Sequence, residues 1–348
     1  MDDWTGAERL VRGNPMDGRS RIGSAWKGLL PVGVAAGMAL VIGGGVDVVH
    51  NRQRASSKKH EAEPASKSEQ TSSSRFVVGV RDTGTALVVR DLRGGTAGLP
   101  VAAPSGSRYQ RVSSGRAGTF TVSSYSPSRE VVFQRLKLDE DGRPSALQPL
   151  PKATLAGVST AYSDQAVSPD GDRIAYVTYR GTRSRLDVVS ARTGARKSWT
   201  TRLPAHVGSL SWAGDTLAFV WSPLRRVDGK VTEARHQVRA LDTSGPSGDL
   251  KASKPVLNLP RGASHAVLTR DGRQVIAALA DRGQITLQAF TPGARRPTKT
   301  IARQPSKGRV SVLDTDHTGR HLLISFTDGR LFADRSLMDA RDLTDAAW

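Results

Sequence analysis

The side chains able to carry acid–base or metal chemistry are thinly spread in this sequence. Seven histidines stand at positions 50, 60, 206, 236, 265, 317 and 321. None belongs to an H-E-x-x-H pair, and neither a G-x-S-x-G nucleophile turn nor a Walker loop occurs. His317 and His321 are four apart, but Gly319 between them marks a hairpin rather than a helix, so they read as turn histidines and not as a ligand pair. The run Asp314-Thr315-Asp316-His317-Thr318-Gly319 echoes a calcium loop. Its twelfth position is Ser325, where a bidentate Glu is needed, so the ligand set is incomplete. Asp139-Glu140-Asp141-Gly142 reads as a solvated acidic hairpin turn. The chain has no cysteine, which excludes a thiol nucleophile, a Cys-ligated zinc or iron–sulfur site, a disulfide scaffold and a lipidated Cys. A Ser–His–Asp set assembled from distant positions stays open, since spacing along the chain does not restrict it. No catalytic, cofactor-binding or metal-ligating residue is assigned, no cofactor is expected, and the protein is not expected to be an enzyme.

Any site must therefore be built by the fold. From Phe76 to Trp348, short runs rich in Val, Leu, Ile, Phe and Thr alternate with Gly, Asp, Pro and Ser, and no stretch carries a helical period. The spacing of the turns is informative. Gly94, Gly142, Gly194, Gly245 and Gly293 each follow a strand-like run, at intervals of 48, 52, 51 and 48 residues. Gly118, Gly171, Gly214, Gly272 and Gly319 each precede one, at intervals of 53, 43, 58 and 47. Two interleaved series with one period near 50 define a repeat of four antiparallel strands, the pattern of a propeller blade.

The segment Ala166–Val177, AVSPDGDRIAYV, resembles the S-P-D-G-x-x-I-A-Y repeat of TolB-like and WD-type β-propellers. Trp212–Val220 (WAGDTLAFV) and Leu268–Leu279 (LTRDGRQVIAAL) are degenerate copies. The resemblance covers about residues 76–348. It implies a propeller, and propellers of this kind typically present one face or the central channel to a protein or peptide. Asp170 and Asp271 are placed in turns, where Asp-Gly supplies positive φ, and not in chemistry.

The units run roughly 76–104, 108–151, 158–203, 206–260, 263–304 and 308–343, which makes an all-β, six-bladed propeller. The first unit holds the runs FVVGVRD, ALVVRDL and GLPVAAP and lacks an inner strand. The C-terminal Leu343–Trp348 resembles the inner run Gly208–Trp212, so the last residues are expected to complete the first blade and close the ring. The fourth unit carries an insertion, Ser222–Arg235. Its Arg225, Arg226, Lys230 and Arg235 face Asp228 and Glu233 in number. It reads either as a contact loop for an acidic partner or as a solvated hairpin extension.

The first 75 residues are of another kind. Residues 28–46 form 19 uncharged positions, and Val48 and Val49 extend the run past Asp47. At about 1.5 Å per helical residue this spans a bilayer core, with Trp26 and Lys27 as interfacial anchors. Residues 1–27 read as a short cytoplasmic segment, 28–49 as an uncleaved transmembrane helix, and the Ser/Lys/Glu-rich 50–75 as a flexible linker. Gly33 and Gly37 form a G-x-x-x-G that allows helix pairing. Arg52, Arg54, Lys58 and Lys59 follow the span closely, so the flanking charges nearly balance. The layout of a signal anchor places the N-terminus inside and the propeller outside the cytoplasmic membrane.

Of the net charge of +19, +16 lies beyond residue 75, from 40 Lys/Arg against 24 acids. It is dispersed and is not interleaved with aromatics, so nucleic acid is not an expected partner. Anionic envelope polymers or headgroups are the expected nonspecific neighbours. The expectation is a noncatalytic, membrane-anchored binding or scaffold module for an unknown protein or peptide. Its alternatives are a sensor coupling the propeller to a cytoplasmic partner through residues 1–27, and a propeller hydrolase.

Overall fold

A computed structural model describes residues 75–348, apart from Asp82, His317, Asp334 and Arg335. The expected cytoplasmic segment, transmembrane helix and most of the linker lie outside the described residues. Among the described residues no helix is long and apolar enough to cross a membrane.

The described chain is all-β. In chain order, β1 (Phe76–Arg81), β2 (Ala86–Asp91) and β3 (Val101–Ala102) begin the first blade. The second holds β4 (Arg108–Ser114), β5 (Thr119–Tyr125), β6 (Glu130–Lys137) and β7 (Gln148–Ala156). The third holds β8 (Gln165–Val167), β9 (Arg173–Arg180), β10 (Arg183–Ser190) and β11 (Arg196–Thr200). The fourth holds β12 (Ala205–Ala213), β13 (Thr216–Val227), β14 (Lys230–Glu233), β15 (Gln237–Asp242), β16 (Gly248–Asp249) and β17 (Lys254–Asn258). The fifth holds β18 (Ala263–Leu268), β19 (Val275–Asp281), β20 (Gln284–Phe290) and β21 (Lys299–Pro305). The sixth holds β22 (Val310–Thr315), β23 (Leu322–Phe326), β24 (Arg330–Ala333) and β25 (Ser336–Asp339), and β26 (Leu343–Ala347) ends the chain.

The six sheets correspond to the six repeat units. The closure expected from the C-terminal sequence is present: β26 pairs antiparallel with β1, and Ala346 lies opposite Gly79. One glycine series falls on turns of one kind, and the other does so at four of its five positions. Gly118, Gly171, Gly214, Gly272 and Gly319 join the first strand of a blade to its second, and all have positive φ. Gly142 shows why the residue type is needed, since its φ is +77° and a Cβ there would come within 2.4 Å of the Phe76 ring.

Gly245 departs from its series. Its turn is a longer excursion, with a single 3-10 turn at Leu250–Ala252, and β16 within it pairs in parallel with β11 of the third blade. Lys197 Nζ donates to the carbonyls of Thr243, Ser244 and Gly245, and Trp199 Nε1 donates to Pro246 O at 2.9 Å. These bonds staple blade four to blade three.

The core is divided as the ring is. Buried apolar side chains form six clusters among the described residues, one for each seam between neighbouring blades. The seam between blades three and four is the most aromatic, with Trp199, Trp212 and Phe219 almost fully buried. The seam between blades six and one holds Leu323, Leu331, Met338 and the C-terminal Trp348. Burying such side chains stabilises each seam by roughly 1.5–3 kcal/mol per large residue.

Candidate functional site

The inner strands β26, β4, β8, β12, β18 and β22 surround the channel, and polar side chains on them bond across blades. Asp345 of β26 accepts from Val112 N of β4 at 2.8 Å. Asp164, just before β8, accepts from Leu210 N of β12 at 2.8 Å. Ser211 of β12 accepts from Leu268 N of β18 at 2.9 Å. A short acceptor thus satisfies a backbone donor that the flat pairing inside each blade leaves free. Asp345 and Asp164 share a local signature, Thr-Asp-x-Ala and Ser-Asp-x-Ala, which is the sequence signal by which they could have been found.

At the end of the ring where the inner strands begin, the channel opens into a cavity of about 420 Å³. Its wall holds Asp164, Asp345 and Arg111, and Asp314 of β22 lies deeper. Arg111 donates to Ser163 O at 2.5 Å and Ala161 O at 2.6 Å, and it faces Asp345 at 3.4 Å. Burial opposes its charge, but Asp345 and Asp164 outweigh burial and raise its pKa. Burial pushes Asp345 up to about 6 against the pull of Arg111. Burial pushes Asp314 up to about 7, opposed by the Thr315 N–H and by Arg270. Beyond Asp314 the channel narrows to a pocket of about 10 Å³ where Arg270 stands.

The cavity mouth is bordered by the insertion of the fourth blade. Here β13 runs on to Val227 and turns through Asp228 and Gly229, both at positive φ, into β14. The arm is not simply a solvated extension. Its base is tied down by Glu233, which meets His206 Nδ1 at 2.7 Å and His236 Nε2 at 3.4 Å. The His206 hydrogen bond holds the Glu233 carboxyl below its ordinary range. His236 Nδ1 lies 2.6 Å from Ser222 Oγ, and Tyr162 stacks on His206 with centroids 4.2 Å apart. His265, across the cavity, has its pKa lowered by burial.

Three of the seven histidines are therefore gathered at one mouth, which their spacing along the chain did not reveal. His206 sits on β12 and His236 just before β15, both in blade four, and His265 on β18 of the neighbouring blade five, so strand pairing within one blade and the packing of the next beside it bring them together. Ser222 is hydrogen-bonded to His236, whose other ring nitrogen lies 3.4 Å from Glu233, a row that can poise the serine hydroxyl against a histidine nitrogen. Among the described residues, no group of three or more His, Asp or Glu is placed to hold a metal ion.

The other sequence-named residues fall where turns require them. Asp170 accepts from Ser168 Oγ and Asp172 N, and Asp271 accepts from Thr269 Oγ1 at 2.6 Å and Arg273 N at 3.0 Å. Asp139 likewise closes its own exposed turn, accepting from Asp141 N and Arg143 N. The calcium-like run is divided between two environments: Asp314 faces the channel, and Asp316 accepts from Thr318 Oγ1, Arg320 N and His321 N within a turn. His321 packs on Trp348 at 5.3 Å, and its expected turn partner His317 lies outside the described residues.

No family model matches the chain, and no curated protein does. Solved structures with a similar fold include TolB from Acinetobacter baumannii, at 14% identity over 79% of this chain and 66% of that one, with a TM-score of 0.44. A protein of unknown function from Bacteroides caccae is 12% identical over 79% of this chain and 98% of that one, with a TM-score of 0.45. A Synechocystis apocarotenoid oxygenase variant is 13% identical over 77% and 67%, with a TM-score of 0.43. The chain spans about two thirds of the length of TolB.

Proposed function

We propose that this chain is a noncatalytic binding module, anchored by residues 28–49 with its propeller outside the cytoplasmic membrane, and that it takes a protein or peptide at the mouth of its channel. One observation carries the binding face. Among the described residues seven large apolar side chains are exposed, and four of them, Tyr162 and Leu203 on connections and Val227 and Val231 on the β13–β14 arm, lie at the cavity end of the ring. A half-apolar rim around a polar cavity suits a peptide better than a small solute. The anchor is supported by the uncharged run Gly28–Val46 and by the polar linker after it.

The test is photocrosslinking from a probe at Leu203 in intact membranes, paired with protease added outside the cells. A crosslinked partner that is lost in Tyr162→Ala, with the propeller open to external protease, is the expected result. A propeller that external protease cannot reach overturns the topology. Crosslinking that is indifferent to Tyr162 overturns the binding face.

The Ser222–His236–Glu233 row favours a second reading, hydrolysis at the same mouth. Turnover of an ester or amide panel that disappears in Ser222→Ala and His236→Ala supports it. Absence of turnover by the wild-type chain refutes it.

A further inference from the structure

The charged groups at the cavity floor are unequally satisfied. Asp164 spends its two oxygens on Gln165 N and Leu210 N, both at 2.8 Å. Asp345 spends its oxygens on Val112 N and Arg111. Asp314 accepts only from Thr315 N, through Oδ1 at 2.7 Å, so its Oδ2 has no hydrogen-bonding partner among the described residues. No ion pair within 4.0 Å among the described residues reaches Asp314 either. Arg270, the nearest cation below it, points its Nη1 at Val167 O, and its Nε makes no hydrogen bond.

Two further side chains in the same wall are short of donors. Gln165 is 7% exposed, and its Nε2 donates to Ser113 Oγ at 3.1 Å and Thr121 O at 2.8 Å. Those two bonds fix the amide orientation and leave Oε1 unpaired. Ser209, 9% exposed and held at φ +49°, has an unpaired Oγ. The cavity therefore offers a carboxylate oxygen with two idle acceptors in its walls. Burying such groups without donors is costly, so the site fits a ligand rich in N–H.

We propose that the cavity holds a cationic side chain, an ammonium or guanidinium group on the bound peptide, with Asp314 Oδ2 as its main acceptor. The proposal rests on the reading of the mouth as a peptide site. It adds which residue type enters.

The proton linkage gives a signature that packing alone would not. Asp314 is faced by Arg270 from the β18–β19 turn, Asp164 before β8 and Asp345 on β26, and Arg111 on β4, His265 on β18 and Arg309 before β22 line the same cavity, with His206, His236 and Glu233 at its mouth. Burial leaves Asp314 partly protonated near neutral pH, with its pKa at about 7. A bound cation favours the ionised form, so binding releases a proton and strengthens as pH rises through that value.

The experiment is calorimetry on the full-length chain in nanodiscs, at pH 6 and pH 8, in buffers of different ionisation enthalpy. The probes are acetyl-lysine amide, acetyl-arginine amide and the neutral acetyl-norleucine amide. At pH 8 the cationic probes are expected to bind at least about tenfold tighter than the neutral one. Their affinity is expected to fall by up to about tenfold at pH 6, and a proton is released on binding near pH 7. Asp314→Asn is expected to reduce the cationic probes to the level of the neutral one. Equal binding of charged and neutral probes, or binding unchanged in Asp314→Asn, overturns the proposal. The proton release is read on the wild-type chain, so the test does not depend on the variant folding. If the cationic probes show no preference while Tyr162→Ala still abolishes the crosslink, the cation proposal fails and the peptide-binding reading stands. If Tyr162→Ala leaves the crosslink unchanged, that reading fails first.

Discussion

The backbone N–H of Val112 donates to the carboxylate of Asp345 at 2.8 Å, joining residues 233 positions apart. Through this bond the last strand of the chain, already paired with β1 of the first blade, also grips the inner strand of the second. The ring is thus closed on both sides of β26, and the acceptor that closes it also lines the cavity.

Removing that strand is expected to unfold the domain as a unit. Deletion of Leu343–Trp348 strips β1 of its inner partner and empties the seam that Trp348 fills at 1% exposure. The single change Trp348→Ala is expected to cost about 3–5 kcal/mol, read as a lowered urea midpoint. An unchanged midpoint would refute the closure argument.

Gly142 tests the turn chemistry. With φ at +77° and Phe76 2.4 Å from the position of a Cβ, Gly142→Ala is expected to destabilise by about 1–3 kcal/mol. Gly94 has positive φ but nothing within 4 Å of a Cβ, so Gly94→Ala is expected to cost no more than about 1 kcal/mol. Thermal melts of the pair separate backbone strain from crowding.

The arm is expected to loosen when Glu233 loses its charge. Glu233→Gln weakens the contacts to His206 and His236, which lie at a partly exposed site, so global stability changes by about 1 kcal/mol or less. Trypsin cleavage at Arg225, Arg226 or Lys230 is expected to accelerate severalfold, because the hairpin base no longer holds to the ring. Cleavage rates on the native protein check this.

Asp314 makes stability depend on pH with a definite sign. Its folded pKa, about 7, lies above the usual carboxylate value, so the folded state holds this proton more tightly than the unfolded chain. Its contribution is complete below about pH 4 and is lost as pH rises through about 7. Asp314→Asn removes that loss. The variant is expected to gain on the wild type between pH 4 and 7 by roughly 2–4 kcal/mol, with no further gain above pH 8. Urea titrations across that range measure it.

Much of the fold was legible because its punctuation is local. A Gly needed for positive φ leaves its mark at its own position, and two such series with one period sufficed to count six blades. The closure was readable because Leu343–Trp348 resembles another inner strand. The series misled at Gly245, where blade four sends β16 across to β11, since nothing local distinguishes a tight turn from an excursion that pairs elsewhere. The candidate site was nearly silent. Asp164 and Asp345 carry a weak shared signature, but Asp314 stood in a run that looked like a calcium loop, and the three mouth histidines looked scattered.

By itself the sequence determined the repeat, the blade count, the strand that closes the ring and the uncharged run Gly28–Val46. Each of these rests on residue types at short range or at a constant period. Only the tertiary structure decided which acids face the channel, which histidines meet Glu233, and that Asp314 keeps an oxygen without a donor. Those properties depend on distances between side chains on different strands, and around the channel on different blades, which strand pairing and the ring set and which position along the chain does not encode.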